Sequence, residues 1–236
     1  MRTKLQIALD DMRLEDALQL VEKIQHSIDI VEVGTPFMME YGMEAVRSFR
    51  KLFPDLEVLC DGKIMDAGGY EAELMYKAGA DYVTVLAVTD DITIAEVVSA
   101  ARRYGKKVMV DMICVSDLKS RIERIEKLGA DVIAVHTGVD QQAAGRTPLD
   151  DLREMRSCVK HTAIAVAGGI NAASLNDYLI YQPEIVIVGS GITHAEDPVK
   201  EAKTLAEQIA RGKNECKRVY RKNIRGAYRQ SEICKR

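Results

Sequence analysis

The chain has no tryptophan and three phenylalanines, and aromatic residues make up only 5% of its 236 positions. That scarcity disfavours an aromatic-rich β-sandwich and leaves alanine, valine, isoleucine and leucine to fill the core. No apolar run approaches the roughly 18 residues that cross a bilayer, which excludes a membrane-spanning helix. The opening residues run straight into a strand-like pattern that ends in Asp10 and Asp11, so a secreted protein is not expected. Cysteine is sparse and scattered: Cys60, Cys114, Cys158, Cys216 and Cys234 form no C-x-x-C pair and no cluster with histidine. Neither a disulfide framework nor a structural zinc site is therefore expected, and a reducing, cytoplasmic location is expected instead.

What the chain does have is apolar surface and charge. Hydrophobic residues are 47% and charged residues 29%, enough for one domain with a substantial core. The formal charge of −3 hides an asymmetry, because from Arg211 onward there are ten basic residues against only Glu215 and Glu232. We read an acidic body over 1–210 and a short basic tail over 211–236. The tail would attract polyanions, but a frayed extension is the commoner fate of such a segment, and a nucleic-acid partner is not expected.

Short β-branched runs recur at intervals of roughly 25 residues, alternating with segments of helical periodicity, as in consecutive βα units. They are Leu5–Leu9, Ile28–Val33, Glu57–Asp61, Tyr82–Leu86, Lys107–Met112, Val132–His136, Ala163–Ala167 and Ile185–Val188. Between them, residues such as Leu14, Ala17, Leu18, Val21 and Ile24 share one helical face. An internal echo supports the spacing: Lys77-Ala-Gly-Ala-Asp81 returns as Lys127-Leu-Gly-Ala-Asp131, with Gly79 and Gly129 placed to end a helix in a left-handed residue. Eight such units in one compact domain predict an α/β fold, a (β/α)8 TIM barrel, rather than an open doubly wound sheet.

In such a barrel the chemistry gathers at the C-terminal ends of the strands. Polar residues do collect there: Asp10, Glu32, Asp61 with Lys63, Asp111 and His136. The densest group is Asp61-Gly-Lys63-Ile-Met-Asp66, in which a lysine flanked by acids stays protonated and can stabilise a developing oxyanion. Glu32 and Asp61, at neighbouring strand ends, suit a hard cation such as Mg2+ that keeps several waters. Without a cation these carboxylates outnumber Lys63, and one of them would have to take up a proton. His136 is a candidate acid/base, since imidazole titrates near neutrality. The glycine-rich turns at Gly168-Gly169 and Gly189-Ser190 would let backbone amides approach a phosphate after strands seven and eight. A barrel that binds polyanions through its tail alone would have no need to concentrate charge at residues 61–66.

Taken together, Ala8-Leu9-Asp10, Val31-Glu32-Val33-Gly34-Thr35-Pro36, Asp61-x-Lys63-x-Met65-Asp66-Ala67-Gly68, Ala80-Asp81-x-Val83-Thr84-Val85, His136 with Asp140-x-Gln142-Ala143, and Val166-Ala167-Gly168-Gly169 resemble the orotidine 5′-phosphate decarboxylase suprafamily. Within it the resemblance is to the paired branches of 3-hexulose-6-phosphate synthases and 3-keto-L-gulonate-6-phosphate decarboxylases, over about Lys4 to Ala210. It implies a Mg2+-dependent homodimer in which Glu32 and Asp61 bind metal and Asp10 contacts the sugar phosphate. It also implies that Lys63 stabilises an enediolate and that Asp66 reaches into the partner subunit's site. In the synthase branch the reaction is an aldol condensation of ribulose 5-phosphate with formaldehyde; the alternative is decarboxylation of a 3-keto sugar-acid phosphate. His136 is the preferred base, with Asp66 its rival, and Asp10, Asp111, Gly168, Gly169, Gly189 and Ser190 are assigned to the substrate. One position sorts the branches, Val139, which stands where the decarboxylases resembled here carry arginine; Ser190 also replaces an arginine of theirs, a departure that implies phosphate binding more through backbone amides.

Overall fold

A computed structural model describes residues 2–145 and 147–212. Eight parallel strands close into a barrel in sequence order, β1 (Lys4–Leu9), β2 (Ile30–Val33), β3 (Glu57–Ile64), β4 (Tyr82–Leu86), β5 (Lys107–Asp111), β6 (Val132–His136), β7 (Ala163–Ala167) and β8 (Ile185–Val188). The α/β barrel expected from the spacing is the fold observed. Strand limits differ from expectation where β1 starts at Lys4, β2 starts at Ile30, β5 stops at Asp111, and β3 runs on to Ile64. The basic tail lies, beyond residue 212, outside the described residues.

Helices α1 (Leu14–Ile24), α2 (Thr35–Tyr41), α3 (Met43–Leu52), α4 (Gly68–Ala78), α5 (Asp91–Tyr104), α6 (Leu118–Leu128), α7 (Val139–Ala143), α8 (Leu149–Cys158), α9 (Leu175–Leu179) and α10 (Ser190–Thr193) cover the outside. A further helix, α11, spans 198–212. The sequence pattern suggests one helix per strand, whereas β2, β6 and β8 are each followed by two. After β2 the split comes at Gly42, whose φ of +59° takes it out of helical geometry between α2 and α3. Gly79 and Gly129 do end α4 and α6 in left-handed conformation, as expected from the echo.

Two apolar layers result from the alternation along each strand. Outward-facing residues such as Ile7, Val31, Val58, Val83 and Val110 pack with helix residues such as Val21, Ile24, Phe49 and Ile94. Each such fully buried aliphatic side chain contributes roughly 1.5–3 kcal/mol. Inward-facing residues Ile30, Leu59, Tyr82, Met109, Val132 and Ile185 fill the middle of the barrel, so it is packed rather than hollow. Its lower end is closed by charge, with the Glu57 carboxylate paired to Lys4 and Lys107.

A repeated clasp fastens that lower end. The acids that precede the even strands, Asp29, Asp81, Asp131 and Glu184, each accept a hydrogen bond from the N–H of Leu5, Val58, Val108 or Ile164 on the preceding strand, at 2.8–2.9 Å. Each of the four then returns its own N–H to the carbonyl of that same residue. The echo noted at Asp81 and Asp131 is two of these four clasps.

Candidate active site

The upper end of the barrel carries the polar cluster. Asp61 is buried near the end of β3, and three groups converge on its carboxylate. Thr84 Oγ1 donates to Oδ1 at 2.6 Å, Thr35 Oγ1 donates to Oδ2 at 2.8 Å, and the Lys63 ammonium pairs with Oδ2. Burial pushes the Asp61 pKa up, but the Lys63 charge and these hydrogen bonds outweigh it and hold the carboxyl below its ordinary value. Burial likewise pulls Lys63 down, and Asp61 more than restores it, so the lysine is held protonated.

Lys63 and Asp61 share a side of the strand, but not through simple alternation. The β3–β4 register shifts between Cys60 and Ile64, and Lys63 takes a left-handed φ of +44°. Its ammonium lies 4.0 Å from Asp111 Oδ2, which makes Asp111 its second acidic neighbour. Asp66 does not occupy that role within this chain. Once β3 ends at Ile64 the loop carries Asp66 to the surface, where its carboxylate accepts the N–H of Ala67 at 2.7 Å. The expectation of a lysine between two carboxylates therefore holds with Asp111 in place of Asp66.

Asp111, buried at the end of β5, also faces His136 at the end of β6, with Nδ1 and Oδ2 2.8 Å apart. A carboxylate only accepts, so Nδ1 carries the proton and Nε2 remains to exchange one. Burial lowers the His136 pKa, and the Asp111 hydrogen bond and charge outweigh that and raise it above the ordinary value.

Glu32 is buried on β2 and accepts Gln6 Nε2 at 2.6 Å. Its pKa is pushed well up, first by burial and then by the Asp61 charge. No group of three or more His, Cys, Asp or Glu suited to a metal comes together among the described residues. Glu32 and Asp61 lie on neighbouring strands, close enough for the Asp61 charge to raise the Glu32 pKa, and would supply the few protein ligands Mg2+ requires. Among the described residues Gln6 Oε1 is buried with no hydrogen-bond partner, one more oxygen of the hard type on the side chain that bonds Glu32.

Asp10, just beyond β1, is raised in pKa by burial and by Asp61, and its carboxylate lies between two glycines. A side chain at Gly34 would collide with that carboxylate, and one at Gly189 would come within 3.8 Å of Oδ2. Asp10 thus borders the β8 turn at which a phosphate is expected. Gly168 and Gly169 both have positive φ, at +124° and +66°, and a Cβ on Gly168 would sit 2.7 Å from the Thr137 carbonyl. Ser190 opens the short α10 directly after Gly189. Val139, the first residue of α7, is 79% exposed. His194 pairs with Asp11 at the surface and not with the cluster.

Thr35, Thr84 and Gln6 are the residues that sequence reasoning passed over as working parts. Thr35 opens α2 just past β2, while Gln6 and Thr84 are polar residues within apolar strands at the inward-facing parity. That parity was the available signal.

A family model described as orotidine 5′-phosphate decarboxylase / HUMPS family matches residues 3–205. A 3-hexulose-6-phosphate synthase from Staphylococcus haemolyticus is 44% identical over 206 residues, covering 87% of this chain and 98% of its own length. The solved structure of 3-hexulose-6-phosphate synthase from Salmonella typhimurium superposes with a TM-score of 0.88 at 49% identity, covering 89% of this chain and all of the other. A solved structure of KGPDC from Streptococcus mutans gives a TM-score of 0.82 at 25% identity over 89% of this chain and 98% of its own.

Proposed function

Because the chain belongs to the orotidine 5′-phosphate decarboxylase / HUMPS family, we propose that it condenses ribulose 5-phosphate with formaldehyde to give 3-hexulose 6-phosphate. The observation that carries this reading is the continuous line Asp61–Lys63–Asp111–His136, which sets a fixed ammonium beside a base whose orientation is held by a buried carboxylate. Greater identity to the relatives named as synthases than to KGPDC supports the choice between branches. So does Val139, which leaves no cation at that position.

In this mechanism the sugar phosphate is received by the backbone around Gly168, Gly169, Gly189 and Ser190, with Asp10 bordering it. His136 Nε2 removes a proton from C1, and the electron pair of the C–H bond passes toward the C2 oxygen. The Lys63 ammonium stabilises the enediolate charge as it develops. C1 then attacks the carbon of formaldehyde, and the new alkoxide takes back the proton held at His136 Nε2. Glu32 and Asp61 are the residues that would hold Mg2+, which when bound supplies Lewis-acid polarisation of the sugar oxygens. Asp111 fixes the tautomer of His136 throughout.

The reading includes a homodimer in which Asp66 serves the partner subunit's site. Exposure of Asp66, and of the apolar Met65, Tyr70 and Leu74 on the same loop and α4, supports it. The decisive experiment incubates purified protein with ribulose 5-phosphate, formaldehyde and Mg2+ and follows the loss of formaldehyde. Loss that requires the sugar phosphate, stops in excess chelator and returns with Mg2+ is the expected result. Faster decarboxylation of 3-keto-L-gulonate 6-phosphate than condensation would overturn the choice, and full turnover in chelator would overturn the metal.

A further inference from the structure

Thr84 is buried on β4, facing the barrel interior two residues above Tyr82. Its neighbours on the strand are valines, and a valine at 84 would fill the same volume without a polar atom to satisfy. The hydroxyl instead has two partners, and they are the two ends of the reacting segment. It donates to Asp61 Oδ1 at 2.6 Å and accepts the backbone N–H of Lys63 at 2.9 Å. The direction of each bond is forced, since a carboxylate cannot donate and an amide N–H cannot accept.

Lys63 needs such a partner. Its left-handed φ of +44° is unfavourable for a side chain with a Cβ, and it lies in the stretch where β3 falls out of register with β4. A residue in that conformation persists only where its surroundings hold it, and its N–H takes a side-chain oxygen of β4 in place of a regular ladder partner. We propose that Thr84 is the positioning residue of the site, a single hydroxyl that fixes the Lys63 backbone and the Asp61 carboxylate relative to one another and so aims the ammonium at the developing charge. This rests on the reading of Lys63 and Asp61 as reacting groups. Thr35 holds the other carboxylate oxygen but also the Asp61 carbonyl, and so orients one residue rather than two.

The test compares Thr84→Val, Thr84→Ala and Thr84→Ser by steady-state kinetics and by amide hydrogen exchange at Lys63. Outer partners of this kind typically change affinity or activity by about 10- to 100-fold when removed. Val and Ala variants should lose kcat to that extent with a smaller change in KM for ribulose 5-phosphate, and Lys63 should exchange faster. Thr84→Ser should restore both. Ser and Ala differ by one hydroxyl at nearly equal volume, so their comparison stands even where the Val variant does not fold. Unchanged protection of the Lys63 amide in Thr84→Ala, or a Ser variant as impaired as Ala, would overturn the proposal. Hydroxyl-dependent protection in a wild type that consumes no formaldehyde would uphold the clamp and overturn the reaction assigned to it.

Discussion

His136 Nδ1 stands 2.8 Å from Asp111 Oδ2, and the same carboxylate oxygen lies 4.0 Å from the Lys63 ammonium. One buried acid thus faces the candidate base on one side and the cation proposed to stabilise the oxyanion on the other. The base is made stronger without losing its tautomer.

The first prediction concerns pH. Burial lowers the His136 pKa, Asp111 raises it more, and the net value lies above that of a free imidazole. A base must be neutral to act, so activity should rise with pH through a value above the ordinary histidine value of about 6.5. The stabilisation from this pair runs the opposite way: it is complete below the unfolded-state value and is lost as pH rises through the folded-state one. Asp111→Asn should move the activity onset to lower pH and lower the plateau. A pH–rate profile of kcat/KM for the two proteins checks this, and an onset that does not move would show that Asp111 does not tune His136.

Lys63→Ala removes the ammonium paired with Asp61. Loss of transition-state stabilisation should be about 3 kcal/mol or more, on the order of a hundredfold or greater in rate. The fold should survive, since Lys63 sits at the mouth of the barrel and not in its packed layers, with some loss of melting temperature as buried Asp61 loses its counter-charge. Near-normal turnover would reduce Lys63 to a structural ion-pair partner.

Val139 is exposed at the start of α7, three residues beyond His136. Val139→Arg would place a cation beside the enediolate and a route for protonating it. Decarboxylation of 3-keto-L-gulonate 6-phosphate should rise relative to formaldehyde condensation, by a small factor since the new guanidinium has no built support. The ratio of the two rates in wild type and variant is the measurement, and an unchanged ratio would remove position 139 from the argument.

Stability should respond to the clasps at the lower end. Asp131→Ala leaves the Val108 N–H without its side-chain acceptor and should destabilise by about 1–3 kcal/mol. Asp131→Asn keeps an acceptor and should lose less. Asp81 also holds Arg50 and Lys106, so Asp131 isolates the clasp more cleanly. Equal melting temperatures for Asp131→Ala and wild type would show that the bond contributes nothing net.

Much of this molecule is legible from its letters, for identifiable reasons. Strands such as Val132–His136 declare themselves because β-branched runs bounded by turns have few other uses, and barrel closure follows from counting eight of them. Asp61, Lys63, Asp111 and His136 could be proposed because charge at the end of an apolar strand stands out. Three things do not show in one dimension. Asp111 rather than Asp66 is the neighbour of Lys63 because contact across the barrel depends on strand order and not on sequence distance. The left-handed Lys63 comes from a register shift between two strands, which neither strand encodes alone. Thr84 is silent because a threonine in a strand satisfies β propensity whether or not its hydroxyl has a task.

The clasps bear on how the ring is joined. Glu184 binds Ile164 through its side chain and N–H, then passes its carbonyl to the N–H of Lys4 at 2.8 Å, linking β7 to β1 across the gap where β8 meets the start of the barrel. Asp29, Asp81 and Asp131 make the same hand-over to Glu57, Lys107 and Ala163. The join that brings the two most distant stretches of chain together is therefore built from the same bonds as the joins between successive units. No stave of this barrel is marked as first or last by its chemistry. A circular permutation that opened the chain between two other units and tied β8 to β1 covalently would find every one of the four hand-overs still in place.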